Sequence, residues 1–278
     1  MTAPTLADIL TATKGPIVLA GAGKMGGAML TGWLGQGCDP TRIVVIEPMP
    51  SAEIGALAAR GIRLNPPAET VGAAAALVIA VKPQVFREVA PGLRRYVGDD
   101  TLVVSVMAGI TKATIASACG GHVVRTIPNT PAAIGRGIIA AAPDTNVTPA
   151  QRAFADALLR ATGAVEWIDD EGLIDAITAV SGSGPAYVFL LAEVMAEAGV
   201  AAGLPADLAI RLARATVAGS GELLHRSDLD AATLRQNVTS PNGTTAAALA
   251  VLMADDGLQP LMTRAVAAAT RRSRELAG

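Results

Sequence analysis

Two stretches of the 278-residue sequence carry residue types spaced for chemistry. The first, Ile17-Val-Leu-Ala-Gly21-Ala22-Gly23-Lys24-Met25-Gly26, reads as a strand, a Gly-x-Gly-x-x-Gly turn and the start of a helix. Gly21 permits the tight turn, Gly23 lets backbone approach a pyrophosphate and Gly26 lets helix and strand pack closely, while the helix N-terminus attracts phosphate. Glu47 lies 21 positions after Gly26, at the end of the next strand-like run. That spacing suits an acidic residue accepting hydrogen bonds from a ribose 2′-hydroxyl. Such a carboxylate repels a 2′-phosphate, which favours NADH over NADPH; a solvated carboxylate at the edge of the sheet is the competing reading. The second stretch, Val238-Thr239-Ser240-Pro241-Asn242-Gly243-Thr244-Thr245, directly precedes an Ala-rich helix. Backbone N–H groups and hydroxyls at a helix start suit a small carboxylate. A Ser/Thr-rich helix cap without a ligand suits the same residues.

Three more segments belong beside the glycine loop if the sheet is doubly wound, because ligands of such sheets lie outside the carboxyl ends of the strands. Val81-Lys82-Pro83-Gln84 ends the third strand, Met107-Ala108-Gly109 ends the fourth, and Pro128-Asn129-Thr130-Pro131 follows the fifth. Lys82 also reads as a plain surface lysine, and the last segment as an ordinary proline-rich turn, with or without a cis bond.

The elements that must position these residues follow from periodicity. Strands are expected at Ile17–Ala20, Arg42–Ile46, Ala76–Val81, Leu102–Val106, Val123–Ile127, Gly137–Ala141 and Ala164–Ile168, with helices at Met25–Leu34, Ala52–Arg60, Pro83–Leu93 and Ala150–Arg160. That alternation is the pattern of an open parallel sheet covered by helices. After Asp169-Asp170 the strand signal stops, and helices are expected at Pro185–Ala202, Pro205–His225, Thr244–Ala254 and Gln259–Leu276. The predicted organisation is a sheet domain over 1–165 and an all-helical domain over 166–278.

Composition narrows the function. Hydrophobic residues make up 51% and charged residues 17%, which favours buried helices or a subunit interface over disorder. With two Trp, two Tyr and three Phe, aliphatic side chains must do the packing. The net charge of −2 offers no general attraction to nucleic acid or an anionic membrane. Cys38 and Cys119 form no Cys-x-x-Cys pair, so neither a zinc site nor a disulfide framework is expected, and a reducing cytoplasm fits. Residues 1–14 do not read as a signal peptide. Ala176–Ala192 is uncharged but 17 residues long and broken by Ser181-Gly182-Ser183-Gly184-Pro185, so it is expected to be a buried helix and not a membrane span.

In order along the chain, Gly21-Ala-Gly-Lys-Met-Gly26, Ala80-Val-Lys-Pro83, Pro128-Asn-Thr-Pro131, Ser181-Gly-Ser-Gly-Pro-Ala-Tyr187 and Ser240-Pro-Asn-Gly-Thr-Thr245 resemble the motifs of pyrroline-5-carboxylate reductases. Those enzymes reduce the cyclic imine L-1-pyrroline-5-carboxylate to L-proline. The glycine loop is shared by many dehydrogenases, whereas the last two motifs together are specific. The resemblance implies a Rossmann-like domain binding NAD(P)H, followed by a helical substrate-binding and dimerisation domain. It implies a homodimer assembling to a decamer, with the active site shared between subunits. It further implies that Gly21, Ala22, Gly23, Lys24, Met25 and Gly26 hold the pyrophosphate. Ala80, Val81, Lys82 and Pro83, with Met107, Ala108 and Gly109, would line the ribose and nicotinamide, and Asn129 would sit near the nicotinamide end. Ser240 and the backbone of Gly243, Thr244 and Thr245 would hold the substrate carboxylate, and the Thr245 hydroxyl would meet the imine nitrogen.

Three residues depart from the family pattern. Asn242 replaces a usual glycine, at a position where a left-handed residue is expected. Pro67 stands where an adenosine-contacting Asn is common, with Asn65 two places earlier. Glu47 replaces the small or basic residues of members that prefer NADPH. His122 and His225 are expected to be structural. A β-hydroxyacid dehydrogenase would need a lysine in the helical half, but Lys14, Lys24, Lys82 and Lys112 all precede it. A nucleotide sensor without turnover would not need the loop at 240–245.

Overall fold

The computed structural model describes residues 5–277, and its first half alternates strands and helices as expected. The order runs α1 (Leu6–Ala12), β1 (Ile17–Ala20), α2 (Lys24–Gly35), β2 (Ile43–Ile46), α3 (Ala52–Leu57), β3 (Arg63–Leu64), β4 (Ala76–Ile79), α4 (Phe86–Leu93), β5 (Leu102–Ser105), α5 (Lys112–Cys119), β6 (His122–Ile127), β7 (Gly137–Pro143), α6 (Pro149–Arg160) and β8 (Gly163–Trp167). The strands form one sheet in the order β3-β2-β1-β4-β5-β6-β7-β8, so chain direction across the sheet reverses between β1 and β4. In a doubly wound sheet that reversal opens a crevice at the strands' carboxyl ends.

The strand sequences show why both faces are covered. β1, β4 and β5 are buried along their whole length, as continuous apolar runs in a parallel sheet require. Alternate residues feed two cores: Ile17 and Leu19 pack with Trp33 and Phe154, whereas Val18 and Ala20 pack with Phe86 and Ile115. Trp33 is fully buried and donates its indole N–H to the Leu158 carbonyl at 2.8 Å, joining α2 to α6.

One pairing departs from the expected parallel sheet. β7 runs antiparallel to β6. The nine residues between them include a 3-10 turn at Thr130–Ile134, too few for a helical crossover.

The chain divides into two compact units, one running up to Gly182 and regaining the chain from Thr270, the other Ser183–Ala269. Sequence character changes at 165/166, but the segment up to Gly182 stays with the sheet. It includes α7 (Ile174–Ile177) and a π-turn at Thr178–Gly182. Ile174 packs with Ile127 and Ala142, and Glu171 binds the buried Arg125 at 2.8 Å.

The second unit contains α8 (Gly184–Ala201), α9 (Ala206–Arg226), α10 (Ala231–Asn237), α11 (Thr244–Leu252) and most of α12 (Leu258–Ala277). Small residues set its packing: a Cβ on Gly199 would come within 3.2 Å of the Ala209 Cβ, and Ala196, Ala209 and Ala213 are buried. The expectation of a buried helix around residues 176–192 does not hold within this chain, because Phe189 and Leu190 are 67% and 55% exposed. Too few elements surround α8 to cover it on all sides. By length and composition, the helical run Glu171–Ala201 is long and apolar enough to cross a membrane.

Candidate functional site

The carboxyl ends of β1, β2, β4, β5 and β6 lie along one rim of the sheet, bringing the expected cofactor segments together. Gly21 has φ 89°, and a Cβ there would stand 2.7 Å from the Ala80 carbonyl oxygen, so the turn is pressed against the end of β4. A Cβ on Gly26 would stand 2.1 Å from the Gly21 carbonyl oxygen. Contacts within the protein therefore account for two of the three glycines. Gly23 is different: a Cβ there would meet nothing within 4 Å. It is the N-cap of α2, with no side chain capping the helix start. The uncapped amides and the open space above them fit a pyrophosphate, which supplies the charge that the helix start attracts.

Glu47 is built into this loop. Its carboxylate accepts the Ala22 N–H at 2.9 Å and the Met49 N–H at 3.1 Å. The edge-of-sheet carboxylate is thus not simply solvated, and its remaining acceptor capacity stays at the rim. Lys82 is exposed and Ala80 forms the wall against Gly21. The Met107 side chain lies in the core at 1% exposure, leaving its backbone for any ligand contact, while Ala108 is exposed. Gly109 has φ 74°, and a Cβ there would stand 3.3 Å from the Leu276 carbonyl oxygen near the end of α12.

Asn129 is buried and its amide is engaged within the protein: the oxygen accepts Ile138 N–H at 3.0 Å and the nitrogen donates to the Ser181 carbonyl at 3.2 Å. It ties the end of β6 to β7 and to the π-turn. The Pro128–Pro131 turn contains no cis peptide. Of the histidines, His122 faces two carbonyls, Asn146 at 2.7 Å and Asp99 at 3.0 Å, in a structural position at the start of β6.

In the helical unit, residues 240–243 form a turn closed by Gly243 N–H donating to the Ser240 carbonyl at 3.1 Å. Asn242 adopts φ 58°, the left-handed conformation expected where the family pattern has glycine. Gly243 is the N-cap of α11 and no side chain caps that helix start. The Ser/Thr cap considered from sequence is therefore absent. A Cβ on Gly243 would fall 2.4 Å from the Ser240 hydroxyl oxygen, so the missing side chain lets that hydroxyl sit against the helix start. Thr244 and Thr245 form the first turn, Thr244 exposed and Thr245 half-buried. Free amides, a hydroxyl and the helix dipole together can hold a carboxylate.

Sequence reasoning did not assign a role to Asn65. It has φ 47° and grips the Glu47 peptide with both amide atoms. The Asn-Pro step just after the short strand β3 was the available signal. The Arg125–Glu171 pair, whose carboxylate also accepts Lys112 N–H at 2.9 Å, had no local signal.

Comparison with known proteins places the chain in a family. Residues 171–276 match the family described as pyrroline-5-carboxylate reductase dimerisation, and residues 16–109 match NADP oxidoreductase, coenzyme F420-dependent. The chain is 40% identical over 266 residues to a pyrroline-5-carboxylate reductase of Pseudomonas aeruginosa, covering 94% of this chain and 96% of that protein. It is 39% identical to that of Synechocystis, covering 93% and 97%. Among solved structures, it is similar to a pyrroline-5-carboxylate reductase from Coxiella burnetii, with TM-score 0.88 and 32% identity over 95% of this chain and 99% of that one. A Plasmodium falciparum pyrroline carboxylate reductase with NADP bound gives TM-score 0.79 and 26% identity, covering 96% and 99%. The chain belongs to the pyrroline-5-carboxylate reductase family.

Proposed function

We propose that this protein is an NAD(P)H-dependent reductase that converts L-1-pyrroline-5-carboxylate to L-proline. The observation that carries the reading is a pair of helix starts left without side-chain caps, one behind Gly23 and one behind Gly243. Each offers amides to an anion, one suited to a pyrophosphate and the other to a small carboxylate.

NAD(P)H, when bound, supplies the hydride that reduces the C=N bond. Gly21 to Gly26 hold its pyrophosphate, Glu47 meets the ribose, and Ala80 to Pro83 with Met107 to Gly109 border the rest; Asn129 fixes the nearby backbone. Ser240 and the amides of Gly243, Thr244 and Thr245 hold the substrate carboxylate. The Thr245 hydroxyl hydrogen-bonds the ring nitrogen. A protonated imine is already electrophilic, so orientation and one hydrogen-bond partner suffice without a strong general acid. The helical unit, Ser183–Ala269, holds substrate and dimerises, and dimers build a decamer. Its exposed Phe189, Leu190, Val251 and Leu252 supply apolar area for a second copy. The working compartment is the cytoplasm, where the buried, unpaired Cys38 and Cys119 stay reduced; nucleic acid and membrane are not partners.

The test mixes purified protein with L-1-pyrroline-5-carboxylate and NADH or NADPH. The expected result is loss of nicotinamide absorbance matched by proline formed. No loss with either cofactor overturns the reading.

A further inference from the structure

We propose that Asn65 and Glu47 together make this enzyme select the dinucleotide without a 2′-phosphate, Glu47 as the discriminating group and Asn65 as its positioning residue. The proposal rests on the reductase reading and deepens it by naming the cofactor.

The Glu47 peptide is held from both sides. Its N–H donates to the Asn65 side-chain oxygen at 2.8 Å, and its carbonyl accepts the Asn65 amide nitrogen at 2.8 Å. Asn65 is itself anchored by its N–H to the Val45 carbonyl at 2.8 Å. Its φ of 47° lies in the left-handed region, which asparagine tolerates better than most side chains. With the backbone pinned, the carboxylate reaches into the glycine loop and bonds Ala22 N–H on one oxygen and Met49 N–H on the other. A second tie reinforces the register, because Gly21 N–H donates to the Ile46 carbonyl at 2.9 Å. The negative charge at the end of β2 is therefore fixed, not free to swing aside.

Each carboxylate oxygen keeps acceptor capacity for a ribose hydroxyl. A 2′-phosphate would bring a second negative group to the same place. On the adjacent strand Arg63, in register next to β2, turns one guanidinium nitrogen to the carbonyl and hydroxyl of Thr70 at 2.8 and 2.9 Å, which orients that end of the side chain to the Thr70 turn. Acceptors are thus present at the rim where a phosphate would need donors.

Calorimetric titration with NAD+ and NADP+, and with 5′-AMP and adenosine 2′,5′-bisphosphate, tests this without turnover. The wild-type protein is expected to bind the forms lacking the 2′-phosphate about tenfold or more tightly. Glu47→Gln should bring the ratio towards one. Asn65→Gly, which suits the positive φ but removes the clamp, should narrow it at least threefold with little change in melting temperature. Asn65→Ser adds no charge, shortens the side chain so that at most one of the two bonds to Glu47 survives, and should fall between, so the clamp remains testable if the glycine variant folds poorly. A wild-type ratio of one or below overturns the selection. A ratio that moves in Glu47→Gln but not in either Asn65 variant overturns the positioning role. Binding of neither dinucleotide by the wild type would instead remove the reductase reading beneath it.

Discussion

Replacing Gly243 with alanine isolates the contribution of one hydroxyl. The backbone there, φ −82° and ψ 175°, is open to any residue, so the substitution introduces no backbone strain. The new methyl would lie 2.4 Å from the Ser240 hydroxyl oxygen and 3.2 Å from its carbonyl oxygen. The hydroxyl must rotate away, and the turn must yield by a few tenths of an ångström. Losing a hydrogen bond to a charged carboxylate costs about 1.5–3 kcal/mol, so the KM for the imine acid should rise roughly 10- to 150-fold. Global stability should change by less than ~1 kcal/mol, because alanine at a permissive position also restricts the unfolded chain. Steady-state rates with saturating cofactor, together with thermal melts, give both quantities for Gly243→Ala, Ser240→Ala and the double variant. If the methyl acts by displacing the hydroxyl, the double variant loses no more than Ser240→Ala alone. Additive losses, about 3–6 kcal/mol in total, would refute the proposed contact.

Thr245→Ala should lower kcat while leaving dinucleotide affinity nearly intact; an unchanged kcat removes the hydroxyl from the reaction. Gly26→Ala places a methyl 2.1 Å from backbone oxygen, and overpacking of that kind costs about 1–3 kcal/mol. It should lower the melting temperature and weaken NAD+ binding at least tenfold by calorimetry. Burial pushes the Cys38 thiol up from 9.0 to about 11, with Asp39 adding to the shift. Because the unfolded chain releases this proton first, the stabilisation is complete below pH 9 and is lost as pH rises through 11. Urea midpoints measured between pH 8 and 11 should therefore fall more steeply for the wild type than for Cys38→Ala.

The parts of the fold readable from sequence are those whose signal is local. β1 spans the expected Ile17–Ala20, and α2, α8 and α9 begin and end within a residue or so of the sequence reading, because apolar runs and Gly/Pro punctuation mark them directly. β3 was not anticipated, since two residues carry no periodicity. α1 starts at a Thr5–Asp8 capping box in a segment weighed as a leader. α5 mixes Ser, Thr and Ala with little amphipathic contrast. The glycine loop and the 240–245 turn were legible because conformational demands dictate residue type at Gly21, Gly26, Asn242 and Gly243. The spacing from Gly26 brought Glu47 to the cofactor rim, but its bond to Ala22 N–H, 25 positions away, and the Glu47–Asn65 clamp, 18 positions apart, depend on how β1, β2 and β3 pair and were not legible. Burial of the Met107 side chain and engagement of the Asn129 amide also depend on tertiary packing, which spacing alone does not encode.

Reduction of L-1-pyrroline-5-carboxylate with a nicotinamide cofactor deuterated at C4 on the transferred face gives the sharpest reading of the chemistry. Mass spectrometry of the product should find one deuterium, located on the ring carbon that had been the imine carbon of the substrate. Proline free of label, label at another carbon, or no proline at all would contradict direct hydride delivery by this protein.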